Sequence, residues 1–198
     1  DNSEVTSGID AFALGIYSVN PQAQVYVKVT NSWYAPQKEE EAAKQLLDMD
    51  CDVIAQHCDT SYPQTLAQER GVYSIGYNSD MSKNAPEACL CSVVWNWSAY
   101  YTTAVQSIID GTWDGSNYYG GMSENLVNVT SVANFATAGT QEKVNEAKQQ
   151  ILTGKNGVFD GAIETNTGEI IGTAGSTLDD ATITGAMNWY FKTVNVVE

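Results

Sequence analysis

The chain reads as an α/β protein built on a doubly wound parallel sheet, and three short apolar runs carry that expectation. Val53-Ile54-Ala55, Val72-Tyr73-Ser74-Ile75-Gly76-Tyr77 and Leu90-Cys91-Ser92-Val93-Val94 have the near-continuous apolar character of strands buried on both faces. Segments with helical spacing alternate with them, and strand, helix, strand, helix, strand is the order that winds a parallel sheet. Each run also leads into a polar or aromatic tip: His57-Cys58-Asp59, Asn78-Ser79-Asp80 and Trp95-Asn96-Trp97. Ligands of open α/β sheets sit at that end of the strands. The three tips are therefore expected to line a cleft for a small ring-bearing molecule.

The elements follow in order. Val5, Ile9, Phe12, Ile16 and Tyr17 recur at helical spacing, and Asn20-Pro21 closes that helix. Val25, Val27 and Val29 alternate through a strand that ends at Asn31-Ser32-Trp33-Tyr34-Ala35-Pro36. A helix follows the proline. Glu39, Glu40 and Glu41 load its first turn, where the dipole favours negative charge, and Ala42, Ala43, Leu46 and Leu47 supply its buried face. The glutamate run is read as a solvated helix start rather than a metal site. Next come strand 53–57, a short helix over Pro63–Glu69, strands 72–77 and 90–95, and a helix over Ala99–Ile109 with Tyr101, Val105 and Ile108 facing inward.

Composition changes after Gly111. Turn residues cluster at Asp114-Gly115-Ser116-Asn117 and Gly120-Gly121, residues 126–129 are strand-like, and Val144, Ala147, Ile151 and Leu152 mark a helix ending at Gly154. Two short strands, 161–164 and 169–172, are joined by an Asn166-Thr167-Gly168 turn that suits a hairpin. The tail then reaches the aromatic cluster Trp189, Tyr190 and Phe191. A sheet of this kind begins with a strand, and none precedes Val5. The sequence is accordingly read as beginning inside a longer protein.

The charge excludes some partners. Twenty-four Asp and Glu against 9 Lys and Arg leave a formal −15, which repels phosphate backbones and anionic membrane surfaces. Nucleic acid is not expected as a partner. No apolar run approaches the roughly 20 residues that span a bilayer, and Asp1-Asn2-Ser3-Glu4 reads as neither a signal peptide nor an anchor. Cys51, Cys58, Cys89 and Cys91 lack paired C-x-x-C spacing for zinc. They read either as small buried hydrophobes or as a disulfide joining one of Cys51 and Cys58 to one of Cys89 and Cys91.

Trp33 and Tyr34 lie in a loop between a strand and a helix, where an exposed ring offers a stacking face worth roughly 1–3 kcal/mol by analogy with base stacking. Asp59 and Asp80 end strands, and a carboxylate there accepts hydrogen bonds from ring nitrogens, amino groups or sugar hydroxyls. Either can instead cap a turn or helix. His57 is the single histidine, without a second base or nucleophile at a recognisable spacing, and is read as scaffolding. There is no G-x-S-x-G elbow, Walker loop, H-E-x-x-H or dinucleotide-binding G-x-G-x-x-G. Neither a catalytic residue nor a cofactor or metal is expected, and binding is favoured over catalysis.

Five runs carry a resemblance: Gly8-Ile9-Asp10-Ala11-Phe12-Ala13-Leu14-Gly15, Asp52-Val53-Ile54-Ala55-Gln56-His57, Gly71-Val72-Tyr73-Ser74-Ile75-Gly76-Tyr77, Ser79-Asp80-Met81-Ser82 and Ser92-Val93-Val94-Trp95-Asn96-Trp97. With Phe159-Asp160-Gly161 and Met187-Asn188-Trp189 in the tail, they resemble the basic membrane protein (BMP) family. Its members are lipoproteins that bind purine nucleosides and related bases for ABC importers. The resemblance implies a type I periplasmic-binding-protein fold of two α/β lobes, with most of the first lobe lying outside this sequence. Residues 1–112 would form the α/β core of the second lobe, and 113–198 the crossover and C-terminal segment. It further implies an extracytoplasmic, lipid-anchored full-length protein and ABC permease subunits as partners.

By position, the resemblance puts Tyr34 in the purine-stacking role and Asp80 among the groups that hold ligand polar atoms. Trp33, Asp59 and Trp97 complete the expected ligand-binding set with Trp95. Nucleoside-binding members place a ribose-binding lysine where this chain has Trp95, which implies preference for a free base such as adenine. The edge left by a missing strand also invites self-association. Two other readings of the residues stand beside this one: a flavodoxin-like redox protein, for which Asn31-Ser32-Trp33-Tyr34-Ala35 is a poor phosphate loop, and a ligand-sensing domain of a transcription regulator.

Overall fold

The computed structural model describes residues 2–198. The elements, in chain order, are α1 (Ser3–Val19), β1 (Val25–Lys28), α2 (Pro36–Asp48), β2 (Val53–Ile54), α3 (Tyr62–Glu69), β3 (Tyr73–Asn78) and β4 (Cys89–Trp95). They continue with α4 (Ser98–Ile109), β5 (Val127–Val129), α5 (Thr140–Leu152), β6 (Ile163–Glu164), β7 (Ile170–Ile171), α6 (Asp180–Gly185) and β8 (Val194–Val197). They fall into two compact units. One holds the chain up to Asn31 together with Glu146–Glu198, and the other holds Ser32–Asn145.

The unit of residues 32–145 contains a four-stranded sheet in the order β2-β3-β4-β5. β2, β3 and β4 run parallel, so their C-terminal ends share one edge, and β5 pairs antiparallel with β4 through Val93↔Val129 and Trp95↔Val127. Gly76 is required in β3, because a Cβ there would collide with the Ser92 side chain of β4. Leu47, Ile54 and Ala67 form one buried cluster under α2, β2 and α3, and Met81, Ala85, Ala88 and Cys89 form another.

The other unit packs α1 over Val25, Phe159, Ile163, Met187, Phe191 and Val194. Its strands make two small sheets, β1 with β8 in parallel and β6 with β7 as the expected hairpin. The most buried residues of α1 are Thr6, Asp10 and Ala13, so the helix is turned about one residue from the apolar stripe and carries an acid into the core.

Several expectations require correction. The strand at Val25 does not hydrogen-bond into the four-stranded sheet; its ladder is taken by β8, a tail strand that the sequence reading did not identify. The strand expected over 53–57 pairs only at Val53 and Ile54, because the Gln56 side chain turns to the Thr60 carbonyl and to Gln64. Tyr101, Val105 and Ile108 do not face inward: they are 57%, 56% and 61% exposed, and α4 has no buried residue. Spacing identifies an apolar stripe but not what covers it. Glu39 is not solvated like Glu40 and Glu41 but 2% exposed. All four cysteines are free, only Cys89 is fully buried, and burial pushes the thiols of the partly buried Cys51 and Cys91 up.

Candidate functional site

The site is built on the shared C-terminal edge of β2, β3 and β4. β1 ends before Asn31, whose left-handed φ of 53° turns the chain into the loop bearing Trp33 and Tyr34; Asn78, at φ 70°, turns it out of β3 in the same way. After Ile54 the chain leaves the ladder and presents His57 and Asp59. The Asp59 N–H donates to the Trp33 carbonyl at 2.9 Å, and the Cys58 thiol lies 3.8 Å from the Ser32 carbonyl. The two loops therefore run side by side.

Three rings meet at tilted angles here, one from each loop and Tyr77 from β3. His57 lies 5.9 Å from Trp33 at an interplanar angle of 47°, and 4.3 Å from Tyr77 at 31°. Each separation is within the range of favourable ring contacts. Asp59 Oδ1 sits 3.5 Å from the Asn78 amide nitrogen, the outer limit of a hydrogen bond. Trp33 is 46% exposed and Tyr34 69%, so both rings have faces open to a ligand.

A second aromatic ladder starts one residue beyond the β3 and β4 pairing of Asn78 with Val94. Trp95 stacks on Trp97 at 5.7 Å and 18°, and Trp97 on Tyr101 at 5.8 Å and 21°. Tyr100 and Tyr118 stack at 4.4 Å nearby. Asp80 stands apart from both ladders in its hydrogen bonding. Its Oδ1 accepts from the Ser82 N–H at 3.0 Å, and Ser82 holds its carboxyl below the usual carboxylate range. The Asp80 carboxylate thus closes its own turn while staying exposed.

The structure brings Trp33, Asp59 and His57 into one cluster and Trp95 with Trp97 into another. Tyr77, Asn78 and Tyr101 join these clusters without having been singled out as ligand residues. Tyr77 and Asn78 end the strand whose polar tip the sequence marks, whereas the apolar spacing around Tyr101 marks a buried helix face instead. Among the described residues no group of three His, Cys, Asp or Glu side chains is arranged to hold a metal ion. Flat faces, carboxylates and amides at a sheet edge can stack on and hydrogen-bond a planar polar ring.

The mostly parallel α/β sheet has the fold of periplasmic-binding-protein-like solute-binding proteins, as solved structures show. An ABC transporter solute-binding protein from Conexibacter woesei shares the fold with a TM-score of 0.60 over 76% of this chain and 51% of that one, at 19% identity. Residues 2–158 match the Bmp family of PnrA-like ABC transporter substrate-binding proteins, and the chain belongs to that family. A purine-binding protein of Brucella abortus is 38% identical over 192 residues, covering 97% of this chain and 54% of that protein. A putative ABC transporter glucose-binding protein of Haloferax volcanii is 33% identical over 159 residues, covering 80% and 41%. The chain thus spans about half the length of the curated relatives it matches. The family consists of substrate-binding proteins rather than enzymes, which sets aside the flavodoxin-like reading. Substrate-binding proteins of ABC transporters are extracytoplasmic, and among the described residues no helix is long and apolar enough to cross a membrane.

Proposed function

We propose that this chain supplies one wall of the binding site of an ABC-importer receptor for a purine base or nucleoside, with an adenine-like free base preferred. The observation that carries the reading is the Trp33, His57 and Tyr77 ladder beside Asp59 on the sheet's carboxyl edge. Tyr34 offers the open stacking face, Trp33 backs it, and Asp59 and Asp80 accept from ring and amino N–H groups. Trp95 and Trp97 flank the ligand on the side of β4. An indole has a face and a single N–H donor but no ammonium for ribose hydroxyls, which favours the base over its nucleoside. The purine-binding relative supports this reading.

The full-length protein would then be lipid-anchored outside the cytoplasm and deliver its ligand to ABC permease subunits. Lobe closure would exclude water from the stacked ring. With half the contacts expected from a second lobe, residues 1–198 alone should bind far more weakly than the intact receptor. The test is mass spectrometry of ligand released from the full-length protein, followed by calorimetry with adenine, adenosine and glucose. Released purine and measurable adenine binding are the expected result. Release of a sugar, or heat with glucose and none with adenine, would overturn the reading.

A further inference from the structure

The N-terminus of α2 lacks an ordinary cap. Its N-cap is Ala35, which has no side-chain acceptor, and Pro36 follows. Glu39 fills the gap from inside the helix: its Oε1 accepts the Ala35 N–H at 2.8 Å, reaching back from one position beyond the N3 site of an ordinary capping box. Capping alone leaves the second carboxylate oxygen unaccounted for. That oxygen, Oε2, accepts from the Thr60 hydroxyl in a buried contact. Thr60 is itself 7% exposed; its Oγ1 lies 3.4 Å from the Tyr62 N–H at the start of α3, and its carbonyl accepts from Gln56.

The positions of these partners matter more than their number. Ala35 follows Tyr34 directly, and Thr60 follows Asp59 directly. One carboxylate, 2% exposed, thus grips both candidate ligand loops at the residue behind their functional tips. Helix capping explains neither the second bond nor the depth of burial, since Glu40 and Glu41 in the same turn stay exposed. Burying a carboxylate is costly unless its oxygens are satisfied, and each of the two bonds offsets part of that cost.

We infer that Glu39 is a positioning residue of the ligand site, its carboxylate strapping the loop of Trp33 and Tyr34 to the loop of His57 and Asp59. The strap sets the spacing of the Trp33 and His57 rings. The inference rests on the reading of these loops as the ligand site, and its test has a readout that needs no ligand. His57 is the single histidine of the chain, so its ring protons give one resolvable NMR signal set whose shift reports the neighbouring Trp33 and Tyr77 rings.

Thr60→Val removes the strap and leaves the Ala35 cap in place. Glu39→Ala removes both, and Glu39→Gln can keep both by accepting from Ala35 and donating to the Thr60 oxygen. The ligand-free Thr60→Val and Glu39→Ala chains should show His57 ring protons displaced toward their unstructured positions, while Glu39→Gln stays near the parent. Adenine affinity should fall roughly tenfold in Thr60→Val, the loss of one hydrogen bond read as binding. Folded Thr60→Val and Glu39→Ala chains with unshifted His57 signals would overturn the inference. So would equal adenine affinity in parent and Thr60→Val. A Thr60→Val chain that no longer folds would overturn it too, because the contact would then serve the fold rather than the loops. Displaced His57 signals in a protein whose parent binds no adenine would sustain the strap and reject the ligand.

Discussion

Asp10 and Phe191, 181 positions apart, are joined by a buried hydrogen bond: the Phe191 N–H donates to Asp10 Oδ1 at 2.8 Å. Asp10 Oδ2 is buried without a hydrogen-bond partner in the structure. Burial pushes the Asp10 carboxyl up from 3.8 to about 7, with the Phe191 N–H pulling modestly the other way. The acid of α1 therefore pins the tail that leads into β8, while its burial favours the neutral form.

The sign of the pH dependence follows. The folded protein holds a proton on Asp10 that the unfolded chain releases near pH 3.8, so the Asp10 contribution is fully present below that value and lost as pH rises through about 7. The slope reaches at most about 1.4 kcal/mol per pH unit. Asp10→Asn keeps an acceptor for Phe191 and cannot ionise. Thermal melts from pH 5 to 8 should show the parent losing stability relative to Asp10→Asn as pH rises; parallel curves would refute the buried neutral acid.

Tyr34 is 69% exposed, so its truncation should leave the fold intact. Tyr34→Ala should keep the parent melting temperature to within about a degree or two, as for surface substitutions generally. It should weaken adenine binding by roughly 1–3 kcal/mol, the worth of a stacked ring. Calorimetry and a melt on the same sample separate the two effects.

Trp95 separates base from nucleoside. In the full-length receptor adenine should bind more tightly than adenosine, because a ribose with unpaired hydroxyls in a closed cleft costs roughly 1–3 kcal/mol per unsatisfied group. Trp95→Lys should narrow or reverse that ranking in competition binding. An unchanged ranking would leave Trp95 as a packing residue stacked on Trp97.

α4 carries no charged residue in a chain of formal charge −15, and Tyr101, Val105, Ile108 and Ile109 are all exposed on it. Two such faces can meet without bringing carboxylates together. We expect sedimentation to show residues 1–198 as a dimer or larger species at micromolar concentrations, and Val105→Glu with Ile108→Glu to shift it to monomer by like-charge repulsion. A monomeric parent would contradict this.

Much of the architecture was legible because it depends on local patterns. Helical spacing located α1, Pro36 and its glutamates located α2, the apolar runs located β2, β3 and β4, and an Asn-Thr-Gly turn located the hairpin of β6 and β7. Strand tips rich in rings and carboxylates also pointed to the carboxyl edge, since a parallel sheet puts all such tips on one side. What could not be read was partnership. β1 pairs with a strand from the far end of the chain, α4 turns its stripe outward, and Asp80 spends one oxygen on its own turn.

The residue types and their order were sufficient to specify α/β layering and the rings and carboxylates at the strand tips, because periodicity and turn chemistry act over a few neighbours. Which oxygen meets which hydrogen was settled by packing. Glu39 and Glu40 are adjacent and chemically identical, yet one is buried between Ala35 and Thr60 and the other faces water. Asp10 lies in a stretch whose composition marks no core acid, yet it is buried, which pushes its carboxyl up to about 7, and it bonds a tail 181 positions away. Hydrogen bonds and desolvation depend on distances of a few ångströms in space, and separation along the chain places no limit on them.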